Sequence, residues 1–200
     1  MPKTTAKRQS VKSKSKKPPA TGTRAVPYIT EAEFEKLLAG ARMGRHPARD
    51  AAILRLMFEH GLRASELLAA KRTQLKLQEA RFQVKRLKGS RSTEHPVSGS
   101  TLRAVRAYLR SRTDALPWLF VTERGAPFTR QGLHYLVGAI AGRAGLHAIH
   151  PHMLRHGCGY ALANRGRDTR LIQDYLGHVD IRNTEIYTRT AARRFEGLWE

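Results

Sequence analysis

The sequence predicts a mainly α fold with one small three-stranded antiparallel sheet, an α+β arrangement. Three observations predict it. Apolar residues recur at three- and four-residue spacing along most of the chain from Ile29 to Leu176, as one face of a helix requires. The period shortens to two only between Leu75 and Val97. Capping residues and glycines bracket the helical stretches, where a helix has to start and stop.

The first helix opens at Thr30. Thr30 and Glu33 have capping-box spacing, Ile29 and Phe34 can form a hydrophobic staple, and Gly40 is the expected stop. A second runs from Pro47, a favourable first-turn residue, to Gly61, with Ala51, Leu54 and Phe58 on one stripe. Residues 64 to 70 form a short third. Leu75 and Leu77, then Phe82 and Val84, alternate with polar neighbours, and a third strand fits residues 95 to 97. Glu79-Ala80 and Lys88-Gly89-Ser90-Arg91 supply the turns. Helices resume over residues 102 to 109, 131 to 141, 151 to 164 and 168 to 175. Asp168 caps the last, Leu171, Ile172, Tyr175 and Leu176 form its apolar stripe, and Gly177 ends it.

The 200 residues suffice for one domain with a sizeable core. There are 37 Lys and Arg against 16 Asp and Glu, a net charge of +21 that favours polyanionic partners such as nucleic acid. Residues 1 to 25 hold basic but no acidic side chains and almost nothing apolar, so they are expected to be a disordered basic tail. The folded domain is expected over residues 26 to 200, and it carries the larger share of the charge. No apolar run approaches the roughly eighteen residues of a membrane span, and no membrane partner is expected. No apolar stretch follows the basic start, which excludes a secretory signal. A single cysteine, Cys158, cannot form an internal disulfide, which fits a reducing cytoplasm, and its helical spacing with Leu154, Ala161 and Leu162 marks a packing residue.

The chemistry is concentrated near the C-terminal end. His152 and Arg155 are three apart, one turn above each other on a helix, followed by Leu176-Gly177-His178 and Tyr187. A guanidinium matches two phosphate oxygens, an imidazole exchanges a proton near neutral pH, and a phenol can become a covalent nucleophile. Upstream, Gly61-Leu62-Arg63-Ala64-Ser65-Glu66-Leu67 places another arginine at a loop-to-helix junction, where backbone N–H groups favour an anion. Lys88 stands at the expected hairpin tip, with Lys85 competing for the same role. The clustered carboxylates of a metal site are not apparent, so no metal and no cofactor is expected. Histidines 134, 147, 150 and 156 are taken as packing or DNA-backbone residues, and Tyr28, Tyr108, Tyr135, Tyr160 and Tyr175 as core.

With these residues in view, the chain resembles the tyrosine recombinase, or phage integrase, family. The resemblance rests on the GLRxSEL element, the hairpin lysine, His152-Met153-Leu154-Arg155-His156, Leu176-Gly177-His178 and Ile186-Tyr187-Thr188, in family order. It implies the catalytic domain of a DNA breaking-and-rejoining enzyme. Arg63 and Arg155 would clamp the scissile phosphate, and His152 would exchange a proton with the tyrosine hydroxyl. His178 would hydrogen-bond the phosphate, Lys88 would protonate the departing 5′ oxygen, and Tyr187 would attack phosphorus to give a 3′-phosphotyrosine. Glu66 would support the site from behind. Since the covalent link conserves the phosphodiester, religation needs no nucleotide.

Typical members carry a separate helical domain that clasps the far side of the DNA, and here only the basic tail is expected ahead of the catalytic domain. In that the chain resembles the short recombinases that invert fimbrial promoter segments. The expected partners are double-stranded DNA with specific, inverted-repeat sites, a homotetramer on that DNA, and accessory DNA-bending proteins. The expected setting is the cytoplasm, at the nucleoid, of a bacterium or a mobile element. Two other readings stand beside this one: a non-catalytic architectural DNA-binding protein on the same fold, and type IB topoisomerase-like activity. Phe195, Leu198 and Trp199 share an apolar face if the last segment is helical, which makes it either part of the core or an anchor in a neighbouring protomer.

Overall fold

The computed structural model describes residues 27–86, 92–189 and 199. Among these, eight α-helices surround a small sheet: α1 (Glu31–Arg42), α2 (Pro47–Glu59), α3 (Ala64–Ala69), β1 (Leu75–Lys76), β2 (Arg81–Val84), β3 (Thr93–Pro96), α4 (Gly99–Arg110), α5 (Arg130–Arg143), α6 (Pro151–Asn164), α7 (Thr169–Leu176) and α8 (Arg182–Thr188). The strands pair antiparallel in sequence order, Leu75 opposite Phe82 and Phe82 opposite His95. The expected tail and the Lys88 turn lie outside the described residues, as do residues 190 to 198 of the last segment.

Most elements begin where local chemistry dictates. The Thr30–Glu33 capping box is formed, and Ser98, Thr129 and Asp168 each accept a backbone N–H from the first turn they cap. α2 is the central helix: Ala52, Ile53, Leu54, Leu56 and Met57 are fully buried, and α1, α4 and α6 pack around it. A second, smaller cluster holds Cys158, Tyr160, Ala163, Ile172, Leu176 and Tyr187 between α6, α7 and α8. Helix α6 belongs to both clusters, so its two faces join the main core to the region around Tyr187.

The structure corrects three expectations and adds one element. Gly40 does not stop α1. The helix continues to Arg42, and Gly40 is the point where α1 meets α5, since a Cβ there would lie 2.6 Å from the Ile140 carbonyl oxygen. Leu171 is exposed, leaving Ile172 and Leu176 as the buried stripe of α7. Tyr135 is 66% exposed and Tyr28 36%, so neither is core. Tyr187 stands on a short helix, α8, whose seven mostly polar residues have no readable apolar period.

Candidate active site

Two helix ends form the floor of the site. α2 ends just before Gly61 and α7 just before Gly177, and both glycines adopt the left-handed conformation, with φ of 56° and 66°. Gly61 is also a contact point, because a Cβ there would fall 2.3 Å from the Leu176 side chain. The last carbonyls of a helix have no partner inside it and carry its negative dipole end, so they attract cations. Three arginines occupy them. Arg155 donates to Gly61 O (2.5 Å) and Leu176 O (2.8 Å), Arg63 reaches Gly177 O (3.4 Å), and Arg86 donates to His60 O (3.2 Å), Gly61 O (3.3 Å) and Tyr175 O.

Glu66 ties the three together. Its carboxylate accepts from the Arg63 guanidinium (2.5 Å) and from Arg86 (2.8 Å), with Arg155 at 3.8 Å. It also accepts the Arg63 backbone N–H at 2.9 Å, closing the first turn of α3. Burial pushes its pKa up, but the Arg63 N–H and the guanidinia of Arg86, Arg63 and Arg155 outweigh that, so its pKa is lowered and the carboxylate stays ionised. Arg86 and Arg155 are both buried, while the Arg63 side chain is 30% exposed. A guanidinium has five N–H donors, and the two carbonyls that hold Arg155 leave others free for an anion. This charge set is legible in sequence only in part. Arg86 carries no local signal of its place here, because its side-chain partners lie 20 to 89 positions away.

Tyr187 enters from α8 and lies flat against α6, where a Cβ on Gly159 would meet its ring at 2.6 Å. It is 1% exposed, and burial pushes its pKa up to about 12 even though Arg155 and Arg63 pull the other way. Its hydroxyl is hydrogen-bonded to His156 Nδ1 at 2.8 Å. The His178 ring lies 6.2 Å from the tyrosine ring, with its own Nδ1 on Thr184 Oγ1 at 2.9 Å. His152 is exposed on α6, edge-on to His156 at 4.5 Å between ring centres. The taking of His156 as a packing residue is therefore corrected: it is the histidine on the phenol, and His152 stands one ring further out. The sequence signal was there, since His156 follows Arg155 and sits one turn beyond His152.

Burial, reinforced by Arg155 and other nearby cations, lowers the pKa of His178 to about 3 and of His156 to about 4, so both are neutral at pH 7. Cys158 is buried, donates to Glu59 O at 3.7 Å and has its pKa pushed up to about 12, as befits a packing thiol. Lys88 lies outside the described residues. Just past β2, Arg86 is buried and Lys85 is exposed. Glu66, Arg63, Arg155, His178 and Tyr187 are thus brought together.

Comparison with known proteins identifies the family and the fold. Residues 27–194 match the model of the phage integrase family. The chain is 43% identical over 178 residues to the type 1 fimbriae regulatory protein FimB of Escherichia coli, covering 86% of this chain and 89% of that one. It is 38% identical over 197 residues to tyrosine recombinase XerD of Ralstonia nicotianae, covering 93% of this chain and 62% of that one. The crystal structure of XerA recombinase superposes with a TM-score of 0.76 at 27% identity, covering 90% of this chain and 65% of that one. The chain therefore spans less than two thirds of the XerD and XerA chains. A buried phenol beside a carboxylate-tied arginine cluster, on a chain so related, has one assignment: the protein belongs to the phage integrase family and is a tyrosine site-specific DNA recombinase.

Proposed function

We propose that this recombinase inverts DNA between inverted-repeat sites, cutting each strand through a 3′-phosphotyrosine at Tyr187. The observation that carries the reading is the position of the Tyr187 hydroxyl, in the electrostatic reach of Arg155 and Arg63 and hydrogen-bonded to an imidazole. Arg63 and Arg155 grip the non-bridging oxygens and stabilise charge as it develops on phosphorus. His178 hydrogen-bonds the same phosphate. Lys88 protonates the departing 5′ oxygen, and His152 exchanges a proton with the tyrosine hydroxyl. Glu66 holds the arginines in place. The proposed partner is double-stranded DNA, with four protomers around two duplexes and accessory DNA-bending proteins shaping the complex, in the cytoplasm at the nucleoid. The resemblance to fimbrial invertases and the extent of the match to FimB support inversion over integration or excision.

The test uses the full chain and a randomised pool of nicked duplexes. Wild-type protein should capture a subset covalently, as a shifted band on a denaturing gel, and Tyr187→Phe should bind that subset within a few fold yet capture none, since only the nucleophilic oxygen is gone. A covalent band with Tyr187→Phe removes the nucleophile assignment. Tight binding without capture by wild type would favour the architectural reading, and relaxation of supercoiled plasmid regardless of sequence would favour a topoisomerase.

A further inference from the structure

We propose that Thr184 is a positioning residue for strand cleavage: its buried hydroxyl sets His178 in the tautomer that carries hydrogen on Nε2, the form able to donate to the scissile phosphate. The proposal rests on the reading that His178 hydrogen-bonds that phosphate. Thr184 is fully buried, and its Oγ1 lies 2.9 Å from His178 Nδ1. Two arrangements of hydrogen fit that contact. In one the hydroxyl donates to Nδ1, and Nε2 holds the ring hydrogen. In the other Nδ1–H donates to the hydroxyl, and Nε2 is left a bare acceptor.

Burial decides between them. Thr184 is closed to solvent, and among the described residues the partner of its hydroxyl is His178. Were Nδ1 the donor, the hydroxyl hydrogen would be buried without an acceptor, which costs more than the hydrogen bond returns. Thr184 therefore donates, and the ring hydrogen stays on Nε2. A second ring proton does not blur this choice, because burial and the charges of Arg155, Arg63 and Arg86 lower the His178 pKa to about 3. A neutral imidazole has one N–H, and its position decides whether the outward nitrogen gives or accepts a hydrogen bond. An ionised phosphodiester offers acceptors, so the other tautomer would set lone pair against lone pair.

The rest of the residue is pinned as well. The His178 backbone N–H donates to Gln173 O at 3.0 Å, and the buried Gln173 amide donates back to His178 O at 3.1 Å. With the backbone held at both groups and Nδ1 held by Thr184, Nε2 is the ring nitrogen left for a ligand. Thr184 also stands one turn before Tyr187 on α8. Docking of α8 thus delivers the nucleophile and the hydroxyl that sets the phosphate donor as one piece.

The experiment pairs kinetics with a direct reading of the tautomer, both on the full chain. In ¹⁵N spectra of histidine-labelled protein, the signals identify which ring nitrogen carries hydrogen, and His178 is assigned by its loss in His178→Ala. Wild type should show hydrogen on Nε2, and hydrogen on Nδ1 overturns the proposal without recourse to any Thr184 variant. Single-turnover cleavage is then measured on a nicked duplex selected by covalent capture on wild-type protein. Thr184→Val keeps the shape and removes the hydroxyl, and partners that orient an imidazole in metal sites are worth about 10–100-fold. A loss in that range is expected, with DNA affinity within a few fold of wild type, and Thr184→Ser should restore most of it by restoring the donor. Placed in His178→Ala, the same valine should cost less than about threefold more, because the hydroxyl acts through the ring. Cleavage by Thr184→Val within threefold of wild type overturns the proposal. So does a serine variant as impaired as the valine one, or a valine penalty that persists undiminished without His178, which would assign Thr184 to structure alone. If His178→Ala itself cleaves within threefold of wild type, the underlying reading of His178 fails instead, whichever tautomer the spectra show.

Discussion

Arg155 differs from an ordinary catalytic arginine in being almost wholly buried and held by two carbonyls, one in the turn after α2 and one at the end of α7. A lysine at that position has one point of charge and cannot span both carbonyls and still face a phosphate. Losing one charged donor at a developing oxyanion costs about 3 kcal/mol, or a hundredfold or more in rate. Arg155→Lys and Arg63→Lys are therefore expected to cut single-turnover cleavage by at least that factor, with Arg155→Lys also lowering the melting temperature because it sits deeper. Cleavage by both within threefold of wild type would mean they are not the phosphate clamp. The lysine roles separate by chemistry: a 5′-bridging sulfur leaves without a proton, so it should rescue Lys88→Ala and not Lys85→Ala. Rescue of Lys85→Ala instead transfers the role to the exposed residue.

At the scale of elements, what the sequence reveals and what it hides divide by range. Helices α1, α4, α5, α6 and α7 are legible because apolar periods run for several turns and, for three of them, Thr30, Pro151 and Asp168 mark the start locally. The left-handed stops at Gly61 and Gly177 were legible for the same reason. Helix α8 was not, because packing of Tyr187 on α6 rather than its own periodicity holds it. Arg86 was hidden because a buried charge is decided by partners far along the chain: Glu66 on α3 and the ends of α2 and α7. That arrangement makes Glu66 a single point of failure for three elements. Glu66→Gln keeps the shape but leaves Arg86 and Arg155 buried against a neutral amide, and breaking a buried pair costs about 3–5 kcal/mol. A drop of several degrees or more in thermal midpoint is expected, with loss of cleavage at temperatures where the variant is still folded. An unchanged midpoint would show that the helix-end carbonyls hold the arginines without it. Gly159→Ala probes the opposite seam. Its methyl would displace the Tyr187 ring, so cleavage should fall while DNA binding persists, and a fully active alanine variant would mean that α8 moves freely.

For the whole molecule, the same burial that builds the site makes the fold acid-sensitive. His60 and His95 form a buried pair behind the sheet, Nδ1 to Nδ1 at 3.4 Å, with Tyr175 stacked on His95 at 3.9 Å. Burial lowers the pKa of His60 to about 4 and that of His95 to about 3, with Arg86 adding to both, and His156 and His178 are lowered likewise. The sign follows from proton counting. Between about 4 and the ordinary histidine value of 6.5, the unfolded chain binds protons that the folded chain refuses, so stability falls as pH falls. Above 6.5 both states are neutral at these residues and their effect is flat. Glu66 adds to the loss only below its ordinary value of 4.5, because its pKa is lowered in the fold, while Asp50, raised by burial, opposes the loss above its ordinary value of 3.8. From 6.5 down to 4.5 the four histidines outweigh that single opposing carboxyl. The thermal midpoint should be level above pH 6.5 and decline steadily to pH 4.5, and His95→Gln should flatten part of that decline by removing one refused proton. DNA should shift it as well, since a bound phosphate near His156 and His178 makes their protonation less costly in the folded state. The midpoint measured with saturating duplex should then fall less between pH 6.5 and 4.5 than that of the free protein. Parallel declines with and without DNA would place the phosphate away from these imidazoles, and a level profile without DNA would show that the buried histidines accept protons without unfolding.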